Sequence, residues 1–138
     1  MTTLLALWGA VLSTTLGALK VREEWRKRFR ISVVPYLTTD DKRGNEVIVR
    51  NLGGNPAILT HWELLWVSGW WRLRKEVPFG SPEGEVADTR IDAGGSHRLV
   101  FIEADHFAWN PAVLRGRKIY IRLWFAGRKR AVFRKVCG

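Results

Sequence analysis

Three histidines, one cysteine and thirteen acids are the residues with which this chain could do catalysis or hold a metal. Glu103, Asp105 and His106, in the stretch EADH, form the one grouping with metal-ligand character. Neither a His-x3-His nor a Cys-x2-Cys pair reinforces it. Capping of a helical turn by Asp105 is the simpler expectation. His61 falls inside an alternating run and His97 follows a turn, so both are expected on sheet surfaces. Asp88 and Asp92 are too dispersed to work as a paired acid and base. No nucleophile elbow, phosphate loop or dinucleotide fingerprint occurs, and the glycine pairs at 53–54 and 94–95 lie in hairpin-like turns. Cys137 excludes an intramolecular disulfide and fits a reducing compartment, and KVCG lacks the residues a prenylation box needs. The expectation is a chain without catalytic, cofactor or metal site.

Cations interleaved with aromatics are more informative. WVSGWWRLRK and YIRLWFAGRKRAVFRK mix Trp, Tyr and Phe with Arg and Lys, and the chain holds eight Trp. In a nucleic-acid reader such residues stack on bases and neutralise phosphates. At a bilayer the same residues place indoles at the carbonyl level and guanidiniums at lipid phosphates. Arg122, Trp124, Arg128, Lys129 and Arg130 are the candidate surface for an anionic partner. About half of the Trp side chains are expected in the core.

The net charge of +10 is distributed unevenly. Residues 20–30 carry six cations and two acids, residues 31–105 are slightly acidic, and residues 106–138 hold nine cations and no acid. Such asymmetry points to an anionic surface, nucleic acid or lipid. Ahead of the first basic cluster, Thr2 to Leu19 carries no charge. At ~1.5 Å per residue this run makes about 27 Å of helix, enough for a thin hydrocarbon core. A signal peptide would put its cations before the run and a small-x-small cleavage site after it, and here the cations follow. A buried soluble helix would account for the interspersed Thr and Ser. A membrane span accounts for both the run and the abrupt basic flank.

On that reading Lys20, Arg22, Trp25, Arg26, Lys27 and Arg28 form a headgroup-binding collar. The positive-inside rule then places the N-terminus outside and the rest of the chain in the cytoplasm. Gly9, Ser13 and Gly17 recur every four residues beside Ala6, Ala10, Thr14 and Ala18, a small-residue face along which a second helix can approach closely.

After Arg30 the period changes to alternation. RISVVPYL (30–37), EVIVRN (46–51), AILTHWELLWV (57–67), WWRLRKEV (70–77), HRLVFIE (97–103), KIYIRLWFA (118–126) and KRAVFRKV (129–136) suit strands. Turns at TTDDKRGN, NLGGNP, VSGW and AGRK separate them, FGSPEGEV is a longer loop, and ADHFAWNPAVLRG (104–116) has room for a helical turn beginning near Asp105. In KIYIRLWF the alternation assigns Ile119, Ile121, Leu123 and Phe125 to one face, and Lys118, Tyr120, Arg122 and Trp124 to the other. Seven short strands predict a two-sheet sandwich over residues 29–138, preceded by a membrane helix and collar over residues 1–28.

NLGGNPAILTHWEL resembles the strand–turn–strand pattern of bacterial immunoglobulin-like domains, and IDAGGSHRLVF is similar to the Gly-x-Ser approach to one of their later strands. With the apolar start and basic collar, the chain resembles a broad class of small bacterial and phage membrane proteins that carry an immunoglobulin-like sandwich. The Cys–Trp–Cys core of antibody domains is missing, since one Cys exists. The resemblance implies an architecture and no activity.

Together these features predict a non-catalytic, single-pass protein of the cell membrane. It would serve as an accessory or scaffold subunit, binding a protein partner or a second copy through helix and sandwich. Three alternatives stand beside it: a phage structural or membrane protein with its helix buried in an assembly, a membrane-anchored defence effector, and a nucleic-acid-binding module.

Overall fold

The computed structural model describes residues 2–40, 42–69, 74–82 and 88–138, with backbone only for residues 2–7, 26 and 27. Among the described residues one long helix, α1 (Thr2–Lys27), precedes eight strands: β1 (Ile31–Tyr36), β2 (Asn45–Asn51), β3 (Ala57–Ser68), β4 (Lys75–Gly80), β5 (Thr89–Ile91), β6 (Ser96–Phe101), β7 (Lys118–Phe125) and β8 (Val132–Cys137). A 3-10 turn (Glu103–Asp105) and a short helix α2 (Pro111–Leu114) lie between β6 and β7.

The strands form two antiparallel sheets, one of three strands in the order β1-β2-β6 and one of five built on β4-β3-β7-β8, with β5 also paired to β3. Two prolines lie on edge strands. Pro35 and Pro78 have no N–H to give to a neighbouring strand, and they sit in β1 and β4, each at one edge of its sheet. The twelve-residue β3 runs through the middle of the larger sheet and pairs with β4, β5 and β7. A register shift between Leu59 and His61 leaves Thr60 as the extra residue, and its hydroxyl donates to Trp124 O at 3.2 Å.

Both sheets turn their apolar face to one core. Val47, Val49, Leu99 and Phe101 contribute from the smaller sheet, and Leu59, Leu64, Ile119, Ile121, Leu123 and Phe125 from the larger. The β7 alternation is as expected, every second residue being buried. Phe107 closes one end of the core, its ring 5.4 Å from Phe101 and 5.9 Å from Phe79. Asn45 holds it there by donating from Nδ2 to Phe107 O at 2.6 Å while its Oδ1 accepts from Thr38 N at 3.0 Å. At one seam β1 lies beside β8, and the Arg134 guanidinium donates to Ile31 O at 3.3 Å.

Several boundaries differ from those read in the sequence. Of the segment 70–77, residues 70–73 lie outside the described residues, and the strand begins at Lys75 and runs on to Gly80, taking in the start of the FGSPEGEV loop. Thr89–Ile91 is an eighth strand, too short to show a period, and it exists because it pairs with Ala57–Leu59. The helical turn expected near Asp105 is two separate turns. The second is capped by Asn110, whose Oδ1 accepts from Val113 N at 2.9 Å, with Pro111 at its first position. Asp105 makes no such cap; its own N–H donates to Ile102 O within the 3-10 turn.

Candidate interaction surfaces

The described side chains of α1, residues 8–25, are all exposed, and no strand packs along the helix. At about 1.5 Å per residue its 26 residues extend about 39 Å. Trp8, Val11, Leu12, Leu16 and Leu19 present apolar area with no covering element among the described residues. Gly9, Ser13 and Gly17 fall on one side of the helix, and a methyl group built at Gly9 or Gly17 meets nothing within 4 Å. The hydroxyls of Thr14 and Thr15 donate back to Ala10 O and Val11 O at 2.8 and 2.7 Å, so these polar groups are satisfied inside the helix. Among the described residues no helix is long and apolar enough to cross a membrane. Leu4, Leu5 and Leu7 belong to the same sequence run, but their side chains lie outside the description.

The collar occupies the last turns of α1, where cations oppose the negative end of the helix dipole. Lys20, Arg22, Trp25 and Arg28 are exposed, and the Arg28 guanidinium lies 4.4 Å from the centre of the Trp25 ring. Side chains of Arg26 and Lys27 lie outside the description. Immediately after the collar the chain is pinned to the sandwich. Phe29 meets Phe125 edge-on at 5.1 Å, and Leu52 N donates to Arg30 O at 2.7 Å. Gly53 is required there, because a Cβ would stand 2.8 Å from Arg28 O.

The five residues assigned to an anionic partner separate into two places. Arg122 and Trp124 lie on the outer face of the larger sheet, where Arg122 is held between carboxylates: Nη2 pairs with Glu76 and Nη1 lies 3.7 Å from Glu63. Arg74 also reaches Glu76 at 3.0 Å and lies over the Phe133 ring at 4.2 Å. Tyr120 stacks on Phe133 at 4.6 Å, and His61 lies against Trp124 at 5.1 Å and 3.6 Å from Glu63. This face is a ladder of aromatics and balanced ion pairs. Its charge balance was not legible in the sequence, because Glu63 and Glu76 come from β3 and β4 and meet Arg122 only through strand pairing.

Arg128, Lys129 and Arg130 instead occupy the exposed β7–β8 turn, which Gly127 makes by adopting φ 75. Arg128 lies 4.0 Å above Phe29. The turn is therefore beside the exit of α1, a juxtaposition of residues a hundred positions apart.

Of the eight Trp, Trp62, Trp66 and Trp109 pack half-buried against the core, Trp124 is half-buried on the outer face, and Trp8 and Trp25 are exposed. Trp70 and Trp71 lie outside the described residues. The EADH residues do not assemble a metal centre: His106 Nε2 and Trp109 Nε1 both engage Thr38 O at 3.1 Å. Among the described residues no three His, Cys, Asp or Glu side chains gather around one.

Cys137 ends β8, half-buried, and burial pushes its thiol pKa up against smaller opposing effects of the Ile119 backbone hydrogen bond and Lys135.

No protein-family model, curated protein or solved structure matches this chain.

Proposed function

We propose that this chain is a non-catalytic, membrane-anchored binding protein, an accessory or scaffold subunit of a larger membrane assembly. In this reading α1 crosses the bilayer once with its N-terminus outside, and the β domain stands on the cytoplasmic side. One observation carries it. A helix of 26 residues precedes the β core with its described side chains exposed, large apolar ones among them. An exposed apolar surface of that extent needs another medium or another molecule to cover it. The back-bonded threonine hydroxyls and the cationic last turns support lipid as that medium.

An immunoglobulin-like sandwich is the finer fold reading. It is supported by the strand orders β1-β2-β6 and β4-β3-β7-β8, in which the second strand pairs with the sixth and the third with the seventh across two sheets.

Membrane extraction tests the anchor. Full-length chain should stay with membranes through alkaline carbonate and leave them in mild detergent, and a chain without residues 1–19 should be soluble with its β domain folded. Full-length chain that is monomeric in buffer without detergent would sink the proposal. A second reading has α1 buried in a protein assembly, as in a phage structural protein, and it is favoured by the finding that no described helix is apolar enough to cross a membrane. That reading predicts release by carbonate and sedimentation as an oligomer.

A further inference from the structure

Around the exit of α1 three separate segments converge. The linker contributes Arg28 and Arg30, the β2–β3 turn contributes Leu52 beside Gly53, and the β7–β8 turn contributes Arg128, Lys129 and Arg130. Their convergence rests on the Leu52 N to Arg30 O hydrogen bond of 2.7 Å, the close passage of Gly53 against Arg28 O, and the Arg128–Phe29 contact of 4.0 Å. Leu52 is 54% exposed at this rim. Among the described residues none of the three turn cations is ion-paired, and Asp92, in the β5–β6 turn whose Gly94 and Gly95 bond to Asn51, is paired with Arg90 at 2.8 Å. The other cluster of cations and aromatics, around Arg122, is balanced by Glu63 and Glu76. Five cations from two segments, Arg28, Arg30, Arg128, Lys129 and Arg130, thus gather at the end of the sandwich from which the helix leaves. Arg115, Arg117 and Lys118, beside α2, are likewise without an ion pair among the described residues, but lie away from the helix exit.

We propose that this rim is a second membrane contact, in which the β domain itself lies on the anionic headgroups of the leaflet that α1 traverses. The proposal rests on the anchored reading of α1. Guanidiniums at Arg28, Arg30, Arg128 and Arg130 bind lipid phosphates through paired N–H donors, Lys129 adds a point charge, and Leu52 enters the interfacial layer. Each cation close to an anionic leaflet strengthens such a contact about fivefold. Because the rim spans three loops, the contact fixes the tilt of the sandwich as well as its distance from the bilayer. A single tether at residue 28 would leave it free to swing.

The test uses full-length chain reconstituted into phosphatidylcholine vesicles with or without phosphatidylglycerol, each containing a headgroup-attached quencher. In a Cys137→Ser background, an environment-sensitive dye is placed at Ala126→Cys, in the rim, or at Ala112→Cys, on α2 at the opposite end. Carbonate resistance is measured on the same samples, and its loss would mean that the anchor reading has failed instead. With insertion intact, the proposal expects quenching at position 126 severalfold above that at 112, increased by phosphatidylglycerol. R128E/K129E/R130E should abolish the increase without changing insertion. Equal quenching at both positions, or a signal indifferent to lipid charge and to the triple reversal, overturns it. So does binding of a single-stranded oligonucleotide by the inserted chain that is lost in the triple variant while position 126 ignores lipid composition, since the rim would then read nucleic acid.

Discussion

The guanidinium of Arg128 lies 4.0 Å above the ring of Phe29, and that ring meets Phe125 edge-on at 5.1 Å. Phe29 is the second residue beyond α1, so this contact joins the helix to the β7–β8 hairpin. Phe29→Ala removes both the edge-on aromatic pair and the cation–π contact. It should destabilise the β domain by about 1–3 kcal/mol, a value below full core truncation because Phe29 is half-buried. Urea denaturation of the chain in mild detergent measures it. Phe29→Leu, which keeps the apolar bulk, should recover most of the loss.

Asn51 ends β2 fully buried, and its side chain serves three backbone groups. Oδ1 accepts from Gly53 N at 3.0 Å, and Nδ2 donates to Asn55 O at 2.8 Å and Ile91 O at 3.0 Å. Asn51→Leu strands all three where water has little access, and should cost on the order of 2–4 kcal/mol. Asn51→Asp keeps the acceptor but loses both donations and buries a charge, so it should be no better than the leucine variant. A stability near wild type for either would show that Asn51 is not the organiser of these turns.

A Cβ added at Gly9 or Gly17 meets no described atom within 4 Å, so larger side chains at these positions point into open space among the described residues. G9L/G17L should insert and fold as wild type does while losing a partner helix, at about 1–3 kcal/mol of association. Co-purification in mild detergent reads this out. Replacing Leu12 and Leu16 by Val is the control and should change little. If the two double variants behave alike, the small-residue face is not the contact.

Orientation should be reported from Ala112→Cys rather than from the native thiol. Burial raises the Cys137 pKa, so at neutral pH its reactive thiolate is scarcer than that of an exposed cysteine. Maleimide should label Ala112→Cys severalfold faster in detergent, and on intact cells neither site should react with an impermeant reagent. Because the folded pKa is raised, protonated Cys137 stabilises the fold fully below the unfolded thiol pKa, and that contribution is lost as pH rises through the folded one. Cys137→Ser should therefore flatten the alkaline end of the stability profile. Changing Lys20, Arg22, Arg26, Lys27 and Arg28 to Gln should scramble topology, making Ala112→Cys accessible on a fraction of cells.

Local pattern was enough for the elements whose residues repeat. The uncharged run predicted α1, and alternation predicted β7 with its buried Ile119, Ile121, Leu123 and Phe125, because period and polarity are properties of neighbouring residues. Pairing across the fold was not legible. Thr89–Ile91 is a strand only because Ala57–Leu59 lies beside it, and three residues have no period to read. Arg122 looked available to an anionic partner until strand pairing set Glu63 and Glu76 around it, whereas Arg128 gained its place beside the helix exit through Phe29. By itself the sequence determined which segments are apolar, extended or basic. Only the tertiary structure decided which cations have a carboxylate neighbour, because charge balance depends on distances between strands far apart in the chain.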